Sequence, residues 1–193
     1  PRVVALGYTA VLLMAAQEHA YYGSFGYQVT SFFAPPARFG TPAELQALID
    51  ACHAHGLLVL FELVHAHASA NVADGVNDFD GNSSGGYFLP GSDGWHAEWG
   101  TRMFDFSKLE VLRFLLSQVA YFATTYRCDG FRFDAVSAAL YRHRSLHGKG
   151  TFRSYDDYYG EDCELDVHAL TYFRLANLVA HELIHPPLVM IAE

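Results

Sequence analysis

Arg132, Asp134 and Glu193 are the residues whose type and spacing suit chemistry, since each sits toward the carboxyl end of a short apolar run that reads as a buried parallel strand. In Asp129-Gly130-Phe131-Arg132-Phe133-Asp134-Ala135-Val136 a spacing of two puts Arg132 and Asp134 on one face of that strand. A guanidinium beside a carboxylate favours the charged form, so Arg132 is expected to keep Asp134 ionised. Leu188-Val189-Met190-Ile191-Ala192-Glu193 is a second apolar strand that carries another carboxyl group at its end. A pair of carboxyl groups on neighbouring strand ends is what cleavage of a glycosidic bond requires. The same residues also admit a plain reading, in which Arg132 and Asp134 are a structural ion pair and Glu193 is an exposed residue with no role.

The elements that must hold these residues alternate. Thr41-Pro42-Ala43-Glu44 is a capping box with Pro at the first helical position, followed by Leu45, Leu48, Ile49 and Cys52 at helical spacing and by Gly56 as the stop. Leu57 to Val64 is then a continuous apolar run with one charge, the pattern of a strand covered on both faces. Ser107-Lys108-Leu109-Glu110 reads as a second capping box, opening a helix through Leu112, Leu115, Leu116, Val119 and Phe122 that leads into the strand near Phe131. A third helix runs from Asp166 through Leu170, Phe173, Leu175 and Leu178 to the Pro186-Pro187 break and the last strand, and an earlier strand covers Tyr8 to Met14. Such alternation implies a parallel sheet with right-handed crossovers, doubly wound or closed into a barrel, with sites at the strand carboxyl ends. An eightfold barrel needs roughly 250 residues. The expectation is therefore an α/β chain forming part of a (β/α)8 barrel, about four strands, with a long functional loop at 65–107 rich in Gly, Asn, Asp and Ser.

Composition narrows the function. Of 193 residues 51% are hydrophobic and the formal net charge is −9, which suits one packed domain and a neutral substrate and disfavours nucleic acid or an anionic membrane surface. The apolar stretch from Val3 to Ala16 is broken by Gly7 and too short to span a bilayer. Cys52, Cys128 and Cys163 are odd in number and too scattered for a metal site or a disulfide framework, pointing to a reducing compartment rather than secretion. The chain opens on Pro1, not Met, and reads as a piece of something longer.

Nearly end to end, the sequence resembles the α-amylase superfamily, and within it the eukaryotic type of 1,4-α-glucan branching enzyme. The resemblance rests on the run Glu18-His19-Ala20-Tyr21-Tyr22-Gly23-Ser24-Phe25-Gly26-Tyr27-Gln28-Val29-Thr30-Ser31-Phe32-Phe33, on Arg38-Phe39-Gly40-Thr41-Pro42, on Ala73-Asp74-Gly75 and on Phe79-Asp80-Gly81. It implies that Asp134 is the nucleophile, Arg132 its supporting cation and Glu193 the general acid and base. It also implies that His67 hydrogen-bonds the sugar at the cleavage subsite and that Tyr27 stacks beneath the same ring. The four strands would be roughly the second to fifth of the barrel, with the long loop after the third. A third catalytic carboxylate would lie on a later strand, and a carbohydrate-binding domain before the barrel and a β-domain after it are absent from this sequence.

The implied partners are an α-glucan (amylose, glycogen or amylopectin) and the rest of the parent chain, with no cofactor or metal, in the cytoplasm or a plastid. The reaction would be a retaining transfer of a glucan chain to a 6-hydroxyl, while the 193 residues alone are expected to be inactive. Glu62 stands where the family has Asp, and Ala66 replaces a residue that is usually polar. Other readings are a different glycosidase of the superfamily, an inactive glucan-binding remnant, or a zinc amidohydrolase using His65 and His67. His143, His147, His168, His181 and His185 lack ligand spacing and read as solvated surface, whereas Tyr21, Tyr22, Phe32 and Phe33 could be plain core.

Overall fold

The computed structural model describes residues 1–79, 81, 86–146, 154–160, 163–184 and 186–193. In chain order its elements are α1 (Arg2–Ala5), β1 (Ala10–Leu13), α2 (Pro42–Ala54), β2 (Leu58–Val64), β3 (His67–Ser69), β4 (Trp95–His96), β5 (Thr101–Met103), α3 (Leu109–Tyr126), β6 (Gly130–Asp134), α4 (Val136–Leu140), α5 (Asp156–Tyr159), α6 (Val167–Leu178) and β7 (Val189–Ala192). Asp80, His147 and His185 lie outside the described residues.

Strands β1, β2, β6 and β7 form one parallel sheet in that order, as the alternation of helix and strand requires. The expected capping box at Thr41 forms in full: its hydroxyl accepts the Glu44 N–H at 3.2 Å and the Glu44 carboxylate accepts the Thr41 N–H at 2.7 Å. Those hydrogen bonds from Thr41 hold the Glu44 carboxyl below its usual range. The second expected box does not form. The Ser107 hydroxyl and N–H are both bound by Asp105 Oδ1, at 2.6 and 3.1 Å, so Lys108 becomes the N-cap without a side-chain cap. Asp166 does cap α6, accepting from the N–H groups of His168 and Ala169 at 3.1 and 3.2 Å.

Alternation within the central strands divides the sheet into two faces. Phe61, Leu63, Phe131 and Phe133 are buried and turn toward the helices, with Phe61 against Phe122 of α3 and Phe133 edge-on to Phe173 of α6. Glu62, Arg132 and Asp134 fall on the opposite face. Neighbouring strands are locked at their starts by Asp129, whose Oδ2 accepts the Val59 N–H at 2.7 Å and lies 2.8 Å from His53 Nε2. Gly130 is required at the β6–β7 contact, because a Cβ there would lie 2.2 Å from the Val189 carbonyl oxygen. Both outer strands carry exposed apolar side chains: Leu12 on β1, Val189 and Ile191 on β7.

The segment 65–107, expected as a loop, contains a small antiparallel sheet of order β3-β5-β4. Its strands of two or three residues are too short for alternation to be visible in the sequence. Hydrogen bonding of the Ser69 N–H to the Val29 carbonyl at 3.0 Å docks this sheet beside the segment after β1. The aromatic run after β1 is not uniform core: Phe32 is buried and Phe33 half-buried, but Tyr21 and Tyr22 are exposed, the Tyr22 ring lying 4.1 Å under the Arg38 guanidinium.

Candidate active site

Register brings the charged residues together. Glu62 pairs with Arg132 across β2 and β6, Val64 pairs with Asp134, and Phe133 pairs with Ala192 of β7, so Glu193 comes next to Asp134 at the sheet's carboxyl end. Glu193 is fastened there by the backbone: its N–H donates to the Phe133 carbonyl at 3.1 Å, and its Oε2 accepts the Ala135 N–H at 2.9 Å. Arg132 sits at the centre of three carboxylates. Its Nη1 is hydrogen-bonded to Glu62 Oε1 and lies 3.7 Å from Asp134 Oδ1, while its Nη2 lies 3.3 Å from Glu193 Oε1. Glu62 is 5% exposed and Asp134 15%, so both are largely withdrawn from water.

This arrangement reverses the expected electrostatics of Asp134. Instead of being held low by Arg132, its carboxyl is pushed up to about 7 by burial first, then by the charges of Glu193 and Glu62 and a hydrogen bond with Glu193; Arg132 opposes these and is outweighed. The reason is that the guanidinium makes its closest contact with Glu62 and is shared among three acids.

Tyr27 reaches the same cluster from the segment after β1, with its hydroxyl 3.5 Å from Glu62 Oε1. It is aimed by a tight turn in which Phe25 and Gly26 have φ of 54° and 98° and Ala15 has φ of 56°. A Cβ on Gly26 would come within 2.5 Å of Ala15 Cβ, so only glycine lets this turn seat against the end of β1. Burial, then the charge of Glu62, raises the Tyr27 phenol above its ordinary value, keeping it a hydrogen-bond donor.

A cavity of about 340 Å3 opens beside the cluster, lined by Tyr27, Gln28, His67, Trp99, Thr101 and Asp134, together with Ser24. Arg132 and Glu193 are not among its lining residues and adjoin it through Asp134. Burial, with a smaller contribution from His96, pushes the His67 imidazole down to about 3, so the ring is neutral near neutral pH. His67 Nδ1 and Thr101 Oγ1 are buried polar atoms with no partner among the described residues, and both belong to residues facing this cavity. Unpaired buried polar atoms are costly, and a ligand rich in hydroxyls would satisfy them.

Ser24, Gln28, Trp99 and Thr101 line the cavity without having been expected from the sequence, and Trp99 is the aromatic one among them. It is stacked on His96 with ring centroids 3.7 Å apart and lies 5.0 Å from the His67 ring. His96 Nε2 donates to the Arg144 carbonyl at 2.9 Å and its Nδ1 accepts the Trp99 N–H at 3.2 Å, fixing the platform. The available signal was that both tryptophans of the chain fall within 65–107.

His65 does not join His67 as a metal ligand. Its Nε2 is 2.7 Å from Gln118 Oε1 and its Nδ1 is hydrogen-bonded to the Tyr172 hydroxyl, so both ring nitrogens are occupied in the core between α3 and α6. Burial pushes it down to about 3, and its role is structural. His168 and His181 are exposed as expected, but His143 is half-buried, donating from Nε2 to the Asp157 carbonyl at 3.0 Å and stacking on Tyr141.

No protein-family model matches the chain. Among curated proteins it is 50% identical over 193 residues to the 1,4-alpha-glucan-branching enzyme of Dictyostelium discoideum and 49% identical to those of Saccharomyces cerevisiae and Equus caballus, in each case across 100% of this chain. It spans about a quarter of these relatives, 27 to 28% of their length. Among solved structures, the maltogenic alpha-amylase AmyB of Thermotoga neapolitana superposes with a TM-score of 0.69 at 17% identity, over 99% of this chain and 38% of that one. The alpha-amylase of Geobacillus thermoleovorans, solved with acarbose, superposes with a TM-score of 0.57 at 20% identity, over 69% of this chain and 31% of that one. The fold is thus one shared with alpha-amylases, and by sequence the chain is similar along its whole length to a segment of 1,4-alpha-glucan-branching enzymes.

Proposed function

We propose that this chain is part of the catalytic (β/α)8 barrel of a 1,4-α-glucan branching enzyme, supplying roughly the second to fifth strands and two of its catalytic carboxyl groups. What carries the reading is the meeting of Asp134 and Glu193 on one guanidinium, beside a cavity whose polar atoms await partners. The sheet supports the barrel: β1 and β7 are both outer strands and both expose apolar side chains, as strands awaiting neighbours would. Residues 65–107 then form a functional excursion that brings His67 and Trp99 to the site. The α-glucan substrate is inferred from the names of the relatives and from the acarbose bound to the amylase neighbour. The cysteines remain the ground for proposing a reducing compartment, cytosol or plastid.

In the reactive form Asp134 is ionised and Glu193 carries the proton. Asp134 attacks the anomeric carbon while Glu193 protonates the departing 4-oxygen, so a glucosyl-enzyme ester forms as the glycosidic bond breaks. Glu193, now a carboxylate, accepts the proton of an incoming 6-hydroxyl, whose oxygen displaces Asp134 and leaves an α-1,6 branch. The nearness of Asp134 and Glu193, each within 4 Å of the same guanidinium, suits this retaining course, in which the two carboxyl groups stand about 5–5.5 Å apart. Tyr27 and His67 hold the reacting sugar, and Arg132 balances the charge that accumulates on the two acids.

The test is Asp134→Asn in the full-length protein. The amide is nearly isosteric but cannot attack, so branching measured by the glucan–iodine spectrum should vanish while glucan binding persists. Branching within a few-fold of the unaltered protein would overturn the assignment.

A further inference from the structure

A second, larger cavity lies on the other side of the small antiparallel sheet, and the family reading assigns it no role. Its volume is about 620 Å3, within the range of small-molecule sites. Trp95 forms part of its wall and is 46% exposed. Trp95 and His96 are successive residues of β4, so they face opposite sides: His96 braces Trp99 at the catalytic cavity, and Trp95 faces this one. The Trp95 backbone is held in place. It is paired with Arg102, and the preceding Gly94 is pressed so close to the Leu89 carbonyl that a Cβ would lie 1.8 Å from that oxygen. An exposed indole on a fixed strand gives up little freedom when a ring settles on it.

Four charged side chains of this cavity's wall are paired with one another, and Asp93 and Asp105 add two further carboxylates, Asp105 Oδ2 lying 3.7 Å from Lys108 Nζ. Arg144 Nη2 binds Asp166 Oδ2 at 2.9 Å, and Arg142 Nε lies 3.4 Å from Glu164 Oε2. An anion would have to break one of these pairs and would also face the carboxylates of Asp93 and Asp105. A neutral polyhydroxylated ligand need not, since hydroxyl groups can donate to the remaining carboxylate lone pairs and accept from the remaining guanidinium N–H groups. A flat indole face with planar, paired donors and acceptors beside it fits sugar rings.

We propose that this cavity is a second glucan-binding site, with Trp95 as its stacking platform and the Arg142–Glu164 pair as its hydrogen-bonding wall. The choice of α-glucan over other neutral saccharides rests on the function proposed above. The two cavities stand back to back, joined by the His96 to Arg144 hydrogen bond, so one glucan chain could be held here while another is processed beside Trp99.

The test uses the full-length protein labelled with 5-fluorotryptophan, with the Trp95 and Trp99 resonances assigned by Trp95→Phe and Trp99→Phe. Titration with maltoheptaose should shift both resonances, with different midpoints, and the Trp95 shift should persist in Trp99→Phe. Arg142→Ala should weaken binding at Trp95 by about three- to tenfold and leave the Trp99 midpoint unchanged. A Trp95 resonance that stays still at millimolar maltoheptaose while Trp99 moves overturns the proposal and leaves the active-site reading intact. A Trp95 shift that follows the Trp99 midpoint and disappears in Trp99→Phe also overturns it, being transmitted through His96. Movement of Trp95 without Trp99 upholds the second site and counts against the first.

Discussion

Glu62→Gln separates two roles that a buried carboxylate beside Arg132 could have. As the closest partner of Arg132 it could merely fix the guanidinium, or it could set the protonation of Asp134. An ordinary hydrogen bond from Arg132 Nη1 to Glu62 Oε1, and 3.7 Å from the same nitrogen to Asp134 Oδ1, put the two carboxylate oxygens within about 6.5 Å of each other. At an effective dielectric constant of about 20, a unit charge at that distance is worth about 3 kcal/mol, or roughly 2 pKa units. Glu62 ranks behind burial and Glu193 among the causes that raise Asp134, so the smaller value of about 1 unit is the better expectation for removing it.

The sign follows from the mechanism. In the proposed mechanism Asp134 must be ionised to attack, so activity is lost as pH falls through its pKa, about 7 in the natural sequence. Neutralising Glu62 lowers that pKa, moving the acid limb of kcat/KM to about pH 6 or below, whatever happens to the height of the profile. Glu62→Asp keeps the charge and should leave the limb near its original position even if turnover changes. A Glu62→Gln enzyme whose activity falls while its acid limb stays within about 0.3 unit would refute the electrostatic role. It would leave Glu62 as a purely geometric support.

Asp134→Asn should also raise stability, because Asp134 binds its proton more tightly folded than unfolded. Its penalty is absent below the unfolded pKa near 3.8 and fully felt above about 7, so the gain in melting temperature should be seen at pH 8 and shrink toward pH 4; an equal gain at both values would refute the linkage. Above pH 7 the shift corresponds to at most about 4 kcal/mol. Gly26→Ala should displace the turn that carries Tyr27, strained by a positive φ and a Cβ contact of 2.5 Å with Ala15; kcat/KM should fall by about a hundredfold with the rest of the fold intact by circular dichroism. Gly130→Ala should do the opposite, breaking the β6–β7 contact and lowering stability by several kcal/mol in urea unfolding, since the clash is with backbone that cannot turn aside.

What the sequence made legible was whatever is decided within a few residues. The Thr41 capping box, the Asp166 cap and the apolar runs of β2, β6 and β7 are local signals, and each element forms where its signal lies. Ser107 carries a signal of the same kind and fails because Asp105, two residues earlier, takes its hydroxyl and N–H first. Local pattern cannot report a competitor of equal strength. The resemblance named Asp134 and Glu193, but their electrostatics depend on register, and register is a property of two strands at once. Arg132 stands 70 residues from Glu62 in the chain, and only pairing of β2 with β6 makes them neighbours. Once that pair exists, Arg132 can no longer belong to Asp134 alone, and the ionised carboxylate expected from Arg132 and Asp134 gives way to one poised near neutrality. Trp99 was hidden for a related reason: β4 and β5 are too short to alternate visibly, so nothing in the sequence says which of two tryptophans four residues apart faces His67. The turn between those strands decides it, held by the Gly100 N–H bound to the His96 carbonyl at 2.8 Å. A platform at one cavity and a platform at the other therefore arise from one hairpin whose function is written in its geometry rather than in its pattern.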